Sequence, residues 1–579
     1  MTSYLRQFLS FVSETWRGIK ALPGLRRNQI PLVFESLTKK DLLAIAAFGA
    51  MIVATGGFLI FGNRGQSGTV PDYGGEYTEG LIGQPRFINP VLASSSSADT
   101  DLSKLIYAQL LKFDKNLQLV PDLAAAFPEI SQDQKTYTLR LKDNLKWQDG
   151  KPLTADDVVF TINTIQNADY ESPLKTNWSR VRVEKIDDLS VRLTLREVSA
   201  SFITNFTVGI LPKHIWEGLP ANSFRLSDLN LRPVGSGPFA VREIKKTADG
   251  TITSLTLRAN DNYYEGRPYL DRITFKFYSD QENLLAAYHG RDISAMGYVP
   301  FDKKAFVEPS SKTGQYRISL PQYQAVFFNL PKSAVLADKS VRQALWLATD
   351  RNDLINQVYS GFAQAAYGPI LEGNLGYNPQ VKDATHFSLD EASAILNKGG
   401  WTMDANTKLR TRNKTPLQFN LVTSVQNVKA AQVLQSQWSK IGADVQLTVV
   451  SAADLEQQYI RPRNFDALLF SENTGADPDP FAFWHSTQTR DPGLNLSGFS
   501  NPDVDKLLTG ARQTNDTNVR TADYKQFQTI VTNEIPAIFL DSAVYVYNVP
   551  KKLQGLDLTT VIHPSERFLD INHWYINTK

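Results

Sequence analysis

One thirty-residue stretch, residues 137–166, constrains the fold of this chain more than any other part; it runs YTLRLKDNLKWQDGKPLTADDVVFTINTIQ. Its first five residues alternate large and polar side chains, which predicts a half-buried strand. Residues 149–152, Asp-Gly-Lys-Pro, predict a turn because glycine allows a positive φ and proline fixes the exit. Thr154 can then cap a helix whose first turn carries Asp156 and Asp157. The stretch therefore predicts a strand, a turn and a capped helix.

The remainder of the chain alternates predicted strands and helices without an internal repeat. Residues 181–195 predict a hairpin, and residues 418–450 predict a strand–helix–strand unit of the kind that forms parallel sheets. We also expect a helix at 101–111 and a short helix that begins at Pro121. Such alternation indicates mixed α/β layers, and 579 residues are enough for two lobes or more.

The composition limits the chemistry that is open to the chain. It has no cysteine, which excludes disulfides, thiol catalysis and thiolate metal sites. Its 61 basic and 59 acidic residues are interspersed, so no nucleic-acid binding is predicted. The six histidines are scattered, with none at the helical i, i+4 spacing of a metal site. Neither a metal nor any other cofactor is predicted.

The N-terminal part predicts a membrane anchor. Residues 42–62 are 21 residues without a charge, long enough to cross about 30 Å of hydrocarbon as a helix. Seven lysines or arginines precede this run, and only Arg64 follows it closely. The positive-inside bias therefore places residues 1–41 in the cytoplasm and the folded part outside a cell membrane that the chain crosses once. Small polar residues at 63–77 predict a tether.

Several blocks resemble, in the family's own order, the large solute-binding proteins of ABC importers, the peptide/nickel-type family. WQDGKPLTADDVVF, at 147–160, is similar to that family's signature. The other matching blocks include PRFINPVLASSSSAD at 85–99, GSGPF at 235–239, DKSVRQALWLATDRN at 338–352 and DPDPFAFW at 477–484. The resemblance extends from about residue 75 to residue 579.

This resemblance implies a type-II periplasmic-binding-protein fold of mixed α/β class. Lobe I would comprise residues 75–105, 225–325 and 545–579, with an inserted extra domain at 106–224. Lobe II would comprise residues 326–544. In this family the two lobes close on a ligand and present it to a membrane permease. The expectation is thus a monomeric, non-enzymatic protein that binds peptides and has ABC permease subunits as partners.

The resemblance also implies where a ligand binds. In peptide-binding relatives, an aspartate of the corresponding turn pairs with the ligand's α-ammonium group, and a buried ammonium requires such a partner. Asp477 is the first candidate here and Asp479 the second, in a turn that contains Gly475; alternatively, both aspartates only shape this proline-rich turn. The other candidate ligand contacts are Trp484, Tyr323, Phe327, Asn329 and Ser96, each of which could instead be a core or loop residue.

Two alternative functions follow from other features. A membrane anchor with a short cytoplasmic segment also fits a ligand-sensing receptor of the same fold. Separately, Ser172-Pro-Leu-Lys175 matches S-x-x-K and Lys312-Thr-Gly matches K-T-G, two elements of a penicillin-interacting transpeptidase. The third element, at 471–473, follows K-T-G instead of preceding it. This order disfavours the enzyme.

Overall fold

A computed structural model of the chain describes residues 70–93, 96–297 and 312–578. The stretch 137–166 has the predicted form: a strand, Thr136–Arg140, is followed by a turn and a helix, Ala155–Gln166. Gly150 has the expected positive φ, at 85°. At the helix start, the amide of Thr154 donates to the Asp157 carboxylate at 2.9 Å. The predicted strand, turn and helix are confirmed.

The first sheet has five strands and draws on distant parts of the chain. Parallel pairing joins Glu76–Ile82 to Arg272–Tyr278, and antiparallel pairing adds the strands that follow the GSGPF block. In spatial order the strands are Ala295–Met296, Glu76–Ile82, Arg272–Tyr278, Ile252–Ala259 and Phe239–Lys246.

The second sheet has seven strands and includes the predicted strand–helix–strand unit. Gln418–Ser424 and Asp444–Val450 pair in parallel across the helix Val428–Ser439, which confirms that prediction. Along the sheet the order is Thr313–Ser319, Ala537–Pro550, Gln322–Phe328, Ala467–Asn473, Gln418–Ser424 and Asp444–Val450, and Ala363–Ala365 pairs with Ala537–Pro550.

Three neighbouring strands lie at one end of this sheet, and we call them the crossing strands: Thr313–Ser319, Gln322–Phe328 and Ala537–Pro550. The long strand Ala537–Pro550 pairs with Gln322–Phe328 through its first half and with Thr313–Ser319 through its second half. Only Leu320 and Pro321 separate the two shorter strands. The strand Ala537–Pro550 contributes buried residues both to the core cluster of the five-stranded sheet and to a cluster of the seven-stranded sheet.

A third sheet, of four strands, lies within residues 106–224. It contains the predicted hairpin, as Val181–Lys185 and Ser190–Leu195, next to Thr136–Arg140 and Glu129–Ile130. Its buried residues belong to the same core cluster as those of the five-stranded sheet. Separate clusters cover the two faces of the seven-stranded sheet. The predicted domain boundaries remain predictions, and residues 71–578 form one compact unit.

The helices of eight or more residues pack on these sheets. They are Ser97–Ile106, Ala155–Gln166, Gln281–His289, Lys339–Leu347, Arg351–Tyr359, Leu389–Lys398, Val428–Ser439, Pro502–Arg512 and Thr517–Glu534, with a 3₁₀ helix at Ala200–Thr207.

One predicted helix has different bounds, and another was wrong. The helix expected at 101–111 spans Ser97–Ile106 instead, because the Ile106 carbonyl accepts from the Gly237 amide at 2.7 Å and the chain then extends. Gly235 must be glycine at this junction, since a Cβ there would lie 1.9 Å from the Ile106 oxygen. No helix follows Pro121, because Leu123 and Ala124 donate to the carbonyls of residues 109 and 110.

The predicted anchor, residues 42–62, lies outside the described residues. Across 70–93, 96–297 and 312–578, no helix is both long and apolar enough to cross a membrane. The predicted tether, 63–77, reaches too far along the chain: Pro71–Asp72 pairs with Asn577–Thr578, and Tyr77 is buried in the five-stranded sheet.

Candidate functional site

The carboxyl ends of three strands meet at one edge of the seven-stranded sheet. Gln418–Ser424 lies parallel to both Asp444–Val450 and Ala467–Asn473, so all three strands end on the same side. In open α/β sheets, ligands bind in the crevice outside such strand ends. The turn that follows Asn473 carries the predicted ligand aspartates, and we call residues 474–480 the acidic turn.

The acidic turn holds Asp477 against an arginine. Gly475 has a φ of 68°, which glycine adopts without strain, and its amide donates to Asn473 Oδ1 at 2.9 Å. Asp477 Oδ1 lies 2.5 Å from Arg520 Nη2 and accepts the Asp479 amide at 3.3 Å. The Asp477 side chain is 13% exposed.

Asp479 connects the acidic turn to the segment 106–224. Its Oδ2 accepts from the Ser201 hydroxyl at 3.0 Å and lies 3.2 Å from Arg512 Nε. Burial raises the pKa of Asp479, and the Arg512 guanidinium only partly offsets this rise. The Asn515 amide also donates to Gln134 Oε1 at 2.8 Å. Asp479 thus joins two parts of the chain.

A cavity of about 750 Å³ lies over the crossing strands. Its floor includes residues 319–321 and Ser542, and its walls are residues 364–377 with Lys382 on one side and residues 115–117 and 559–560 on the other. The amide and the hydroxyl of Thr474 both donate to the Pro321 carbonyl, at 2.8 and 3.0 Å. The acidic turn therefore begins at the cavity floor.

Four of the predicted ligand contacts lie in the protein core. Phe327 and Trp484 are 1% exposed and pack on each other, with ring centroids 6.1 Å apart. Tyr323 is fully buried and donates to Glu472, whose pKa burial raises to about 8. Asn329 donates to the carbonyls of Arg463 and Phe465. In this conformation, a ligand would have to displace all four.

Ser96 is far from the acidic turn in the sequence and directly precedes the helix Ser97–Ile106. Its hydroxyl accepts the Asp99 amide at 3.4 Å, so it caps this helix. Its neighbours Ser94 and Ser95 are outside the described residues. The hydroxyl hydrogen of Ser96 remains able to donate to a ligand.

The transpeptidase alternative lacks an available nucleophile. Ser172 is 6% exposed, and its hydroxyl donates to the Val91 carbonyl at 2.8 Å. Lys175 begins the four-residue helix Lys175–Trp178, so it does not stand one helical turn beyond the serine. The arrangement that an acyl-enzyme mechanism requires is therefore absent at Ser172.

Sequence reasoning did not identify Arg512 and Arg520, which pair with the acidic turn, or the residues that line the cavity. Arg520 lies 43 residues from Asp477 along the chain. Because Arg520 and Tyr524 are one helical turn apart, with the guanidinium donating to the Tyr524 hydroxyl at 3.0 Å, they share a helix face. This spacing was a detectable signal, but nothing in the sequence connects it to Asp477.

Comparisons with known proteins agree with this architecture. A model of the bacterial extracellular solute-binding proteins, family 5 (middle region), matches residues 118–493. The oligopeptide-binding protein AppA of Bacillus subtilis (strain 168) is 31% identical over 517 residues, which are 87% of this chain and 92% of that protein.

Solved structures give the same result. AppA from Bacillus subtilis in complex with a nonapeptide has a TM-score of 0.67 at 29% identity, covering 88% of this chain and 100% of that one. NikZ from Campylobacter jejuni in complex with Ni(L-His) has a TM-score of 0.68 at 25% identity, covering 86% and 99%. The predicted mixed α/β binding-protein fold is confirmed. This chain belongs to family 5 of the bacterial extracellular solute-binding proteins.

Proposed function

We propose that this protein captures peptides outside the cytoplasm and delivers them to the permease subunits of an ABC importer. The observation that carries the proposal is the cavity over the crossing strands, which adjoins the acidic turn. A volume of about 750 Å³ is within the range of roughly 300–1,000 Å³ that is usual for small-molecule sites. AppA, a relative over most of the chain, is an oligopeptide-binding protein.

Asp477 would receive the peptide's amino group. Its Oδ1 is occupied by Arg520 and the Asp479 amide. Its second oxygen, Oδ2, would accept from the ammonium group. Arg520 would hold the carboxylate in place, because a guanidinium fixes the orientation of its partner. Gly475 and Asp479 would shape the turn, and Ser96 would offer its hydroxyl from the other side of the cleft.

Lobe closure would couple this binding to transport. A ligand that touches both sides of the cavity favours the closed form by its differential affinity for the two forms. The anchor at residues 42–62 would keep the binding part beside the permease in the cell membrane. A ligand-sensing receptor would use the same site, and loss of peptide uptake when the permease is deleted distinguishes import from sensing.

An Asp477→Asn variant tests the assignment of the amino group. We expect free-amine peptides to bind about 10- to 100-fold more weakly, because a charged hydrogen bond is lost, while N-acetylated peptides lose little. Titration calorimetry on the purified full chain measures both. Asp503→Asn, at an exposed position, is the matched control and should bind both peptides normally. Equal losses for the two peptides would mean that Asp477 only pairs with Arg520.

A further inference from the structure

We propose that residues 106–224, which we call the clasp, close on the acidic turn and hold it in the position in which a ligand binds. Ser201 and Gln134 are the positioning residues through which the clasp acts. This inference rests on the proposed function, because it concerns the turn that would receive the ligand's amino group. It gives a role to a segment that carries none of the candidate ligand residues.

The clasp and the acidic turn belong to parts of the molecule with separate cores. Buried apolar side chains of the clasp, such as Phe202 and Phe206, pack in the cluster of the five-stranded sheet. Those beside the acidic turn, such as Trp484 and Ala511, pack in a cluster of the seven-stranded sheet. Because the two sets lie in different clusters, the two parts can separate while both cores stay intact.

The first link between these parts runs from Ser201 to the acidic turn. The Ser201 hydroxyl, on the 3₁₀ helix Ala200–Thr207, donates to Asp479 Oδ2 at 3.0 Å. The Asp479 amide donates in turn to Asp477 Oδ1 at 3.3 Å. Arg512 Nε holds Asp479 from the other part, at 3.2 Å. Ser201 therefore fixes Asp479 from outside the turn, and through Asp479 it positions Asp477.

The second link is made by a residue in an uncommon backbone conformation. Gln134 Oε1 accepts the Asn515 amide at 2.8 Å. Gln134 lies between the strands Glu129–Ile130 and Thr136–Arg140 with a φ of 59°, a left-handed conformation that glycine adopts more readily. A glutamine at this position costs backbone energy, which points to a role for its side chain.

A third pair of polar groups lies at the same place and is not joined. Tyr137 Oη and Asn515 Nδ2 are both buried, and each lacks a hydrogen-bond partner among the residues that the structure describes. Asn515 is nevertheless the neighbour that partly offsets the rise in pKa that burial causes at Tyr137. A small movement of the clasp toward the acidic turn would let this amide donate to the hydroxyl. The contact is therefore poised to tighten.

The test uses two variants of the full chain, purified in detergent. Ser201→Ala removes the first link. Gln134→Gly removes the second link and relieves the left-handed backbone, so the midpoint of urea unfolding should stay the same or rise. Lys408→Gly is the matched control, because Lys408 has a φ of 61° in an exposed turn outside the clasp. This control should relieve the same backbone conformation and leave the clasp unchanged.

The closed fraction can be measured without any ligand. Since the chain has no cysteine, Glu217→Cys and Lys506→Cys place one spin label at an exposed position on each part. The distribution of distances between the labels then reports closed and open molecules. We expect each clasp variant to lower the ratio of closed to open molecules by about fivefold, which corresponds to the loss of one hydrogen bond. Its affinity for tetra-alanine should fall by up to the same factor.

The outcomes separate this inference from the proposed function. A distance distribution that Ser201→Ala and Gln134→Gly leave unchanged overturns the inference. An equal shift in Lys408→Gly also overturns it, because the effect would then come from the backbone and not from the clasp. The distances test the clasp even if tetra-alanine does not bind. If no peptide binds any form of the protein, the proposed function itself fails.

Discussion

Asp541 lies on the crossing strand Ala537–Pro550, directly opposite Gln324 of Gln322–Phe328. It is 1% exposed, and Gln324 is 4% exposed. Burial raises the pKa of Asp541 to about 7, and the neighbouring Tyr359 only partly offsets this rise. The strand Ala537–Pro550 therefore carries a carboxyl group that is mostly protonated below about pH 7.

The pKa of Asp541 predicts how stability changes with pH. Between its ordinary value of 3.8 and about 7, the folded chain binds more protons at this site than the unfolded chain. The contribution of Asp541 to the free energy of unfolding is thus fully present below pH 4 and decreases as the pH rises to 7. In urea unfolding, the stability of Asp541→Asn relative to wild type should increase by about 3 kcal/mol between pH 5 and pH 8. A difference that does not change with pH would contradict the assigned pKa.

Local rules predicted some side-chain roles and missed others for a physical reason. The positive φ of Gly150 and the position of Asp157 in the first turn of its helix depend on residues at most three positions apart, so the sequence carries their signal. The Asp477–Arg520 pair and the Asp541–Gln324 opposition join residues that only tertiary structure brings together. No rule that is based on sequence spacing predicts such pairs.

At the scale of elements, the block at 147–160 is a packing unit built around Asp157. Its carboxylate accepts the Thr154 amide at 2.9 Å, the Lys213 amide at 2.8 Å and Trp147 Nε1 at 3.4 Å. One side chain therefore joins the turn, the helix Ala155–Gln166 and the start of Lys213–Trp216. Burial raises the pKa of this carboxyl group.

Replacing Asp157 by asparagine should destabilise the protein without affecting the ligand site. The amide side chain has one acceptor oxygen, so a buried backbone N–H loses its partner, at a cost of about 1–3 kcal/mol. Urea unfolding measures this cost. Asp156→Asn is the matched control, because Asp156 is 43% exposed in its pair with Lys185 and should cost under about 1 kcal/mol. Equal costs for the two variants would refute this role of Asp157.

Element prediction succeeded where packing follows local periodicity and failed where a tertiary partner intervened. The parallel unit at 418–450 was predictable because apolar residues recur at strand spacing in its strands and at helix spacing in its helix. The helix expected after Pro121 did not form, because the Asp122 carboxylate accepts the Gln109 amide at 2.7 Å and fixes the chain beside a neighbouring segment. Gln109 lies 13 residues from Asp122, so the local pattern that predicts a helix does not include it.

At the scale of the whole molecule, the sequence blocks alone identify the family, and the match over residues 118–493 confirms that assignment. The cavity over the crossing strands was not predictable, since its lining comes from five separated parts of the chain: 115–117, 319–321, 364–382, Ser542 and 559–560. Only the tertiary fold brings these residues together.

The central claim is that the ligand of this protein is a peptide. Mass spectrometry of the small molecules released from the purified, full-length protein tests it most directly. Our account predicts that peptides with free amino and carboxyl ends co-purify with the wild type and are depleted in Asp477→Asn. A metal chelate or a sugar bound in their place, at one equivalent per chain, would contradict it.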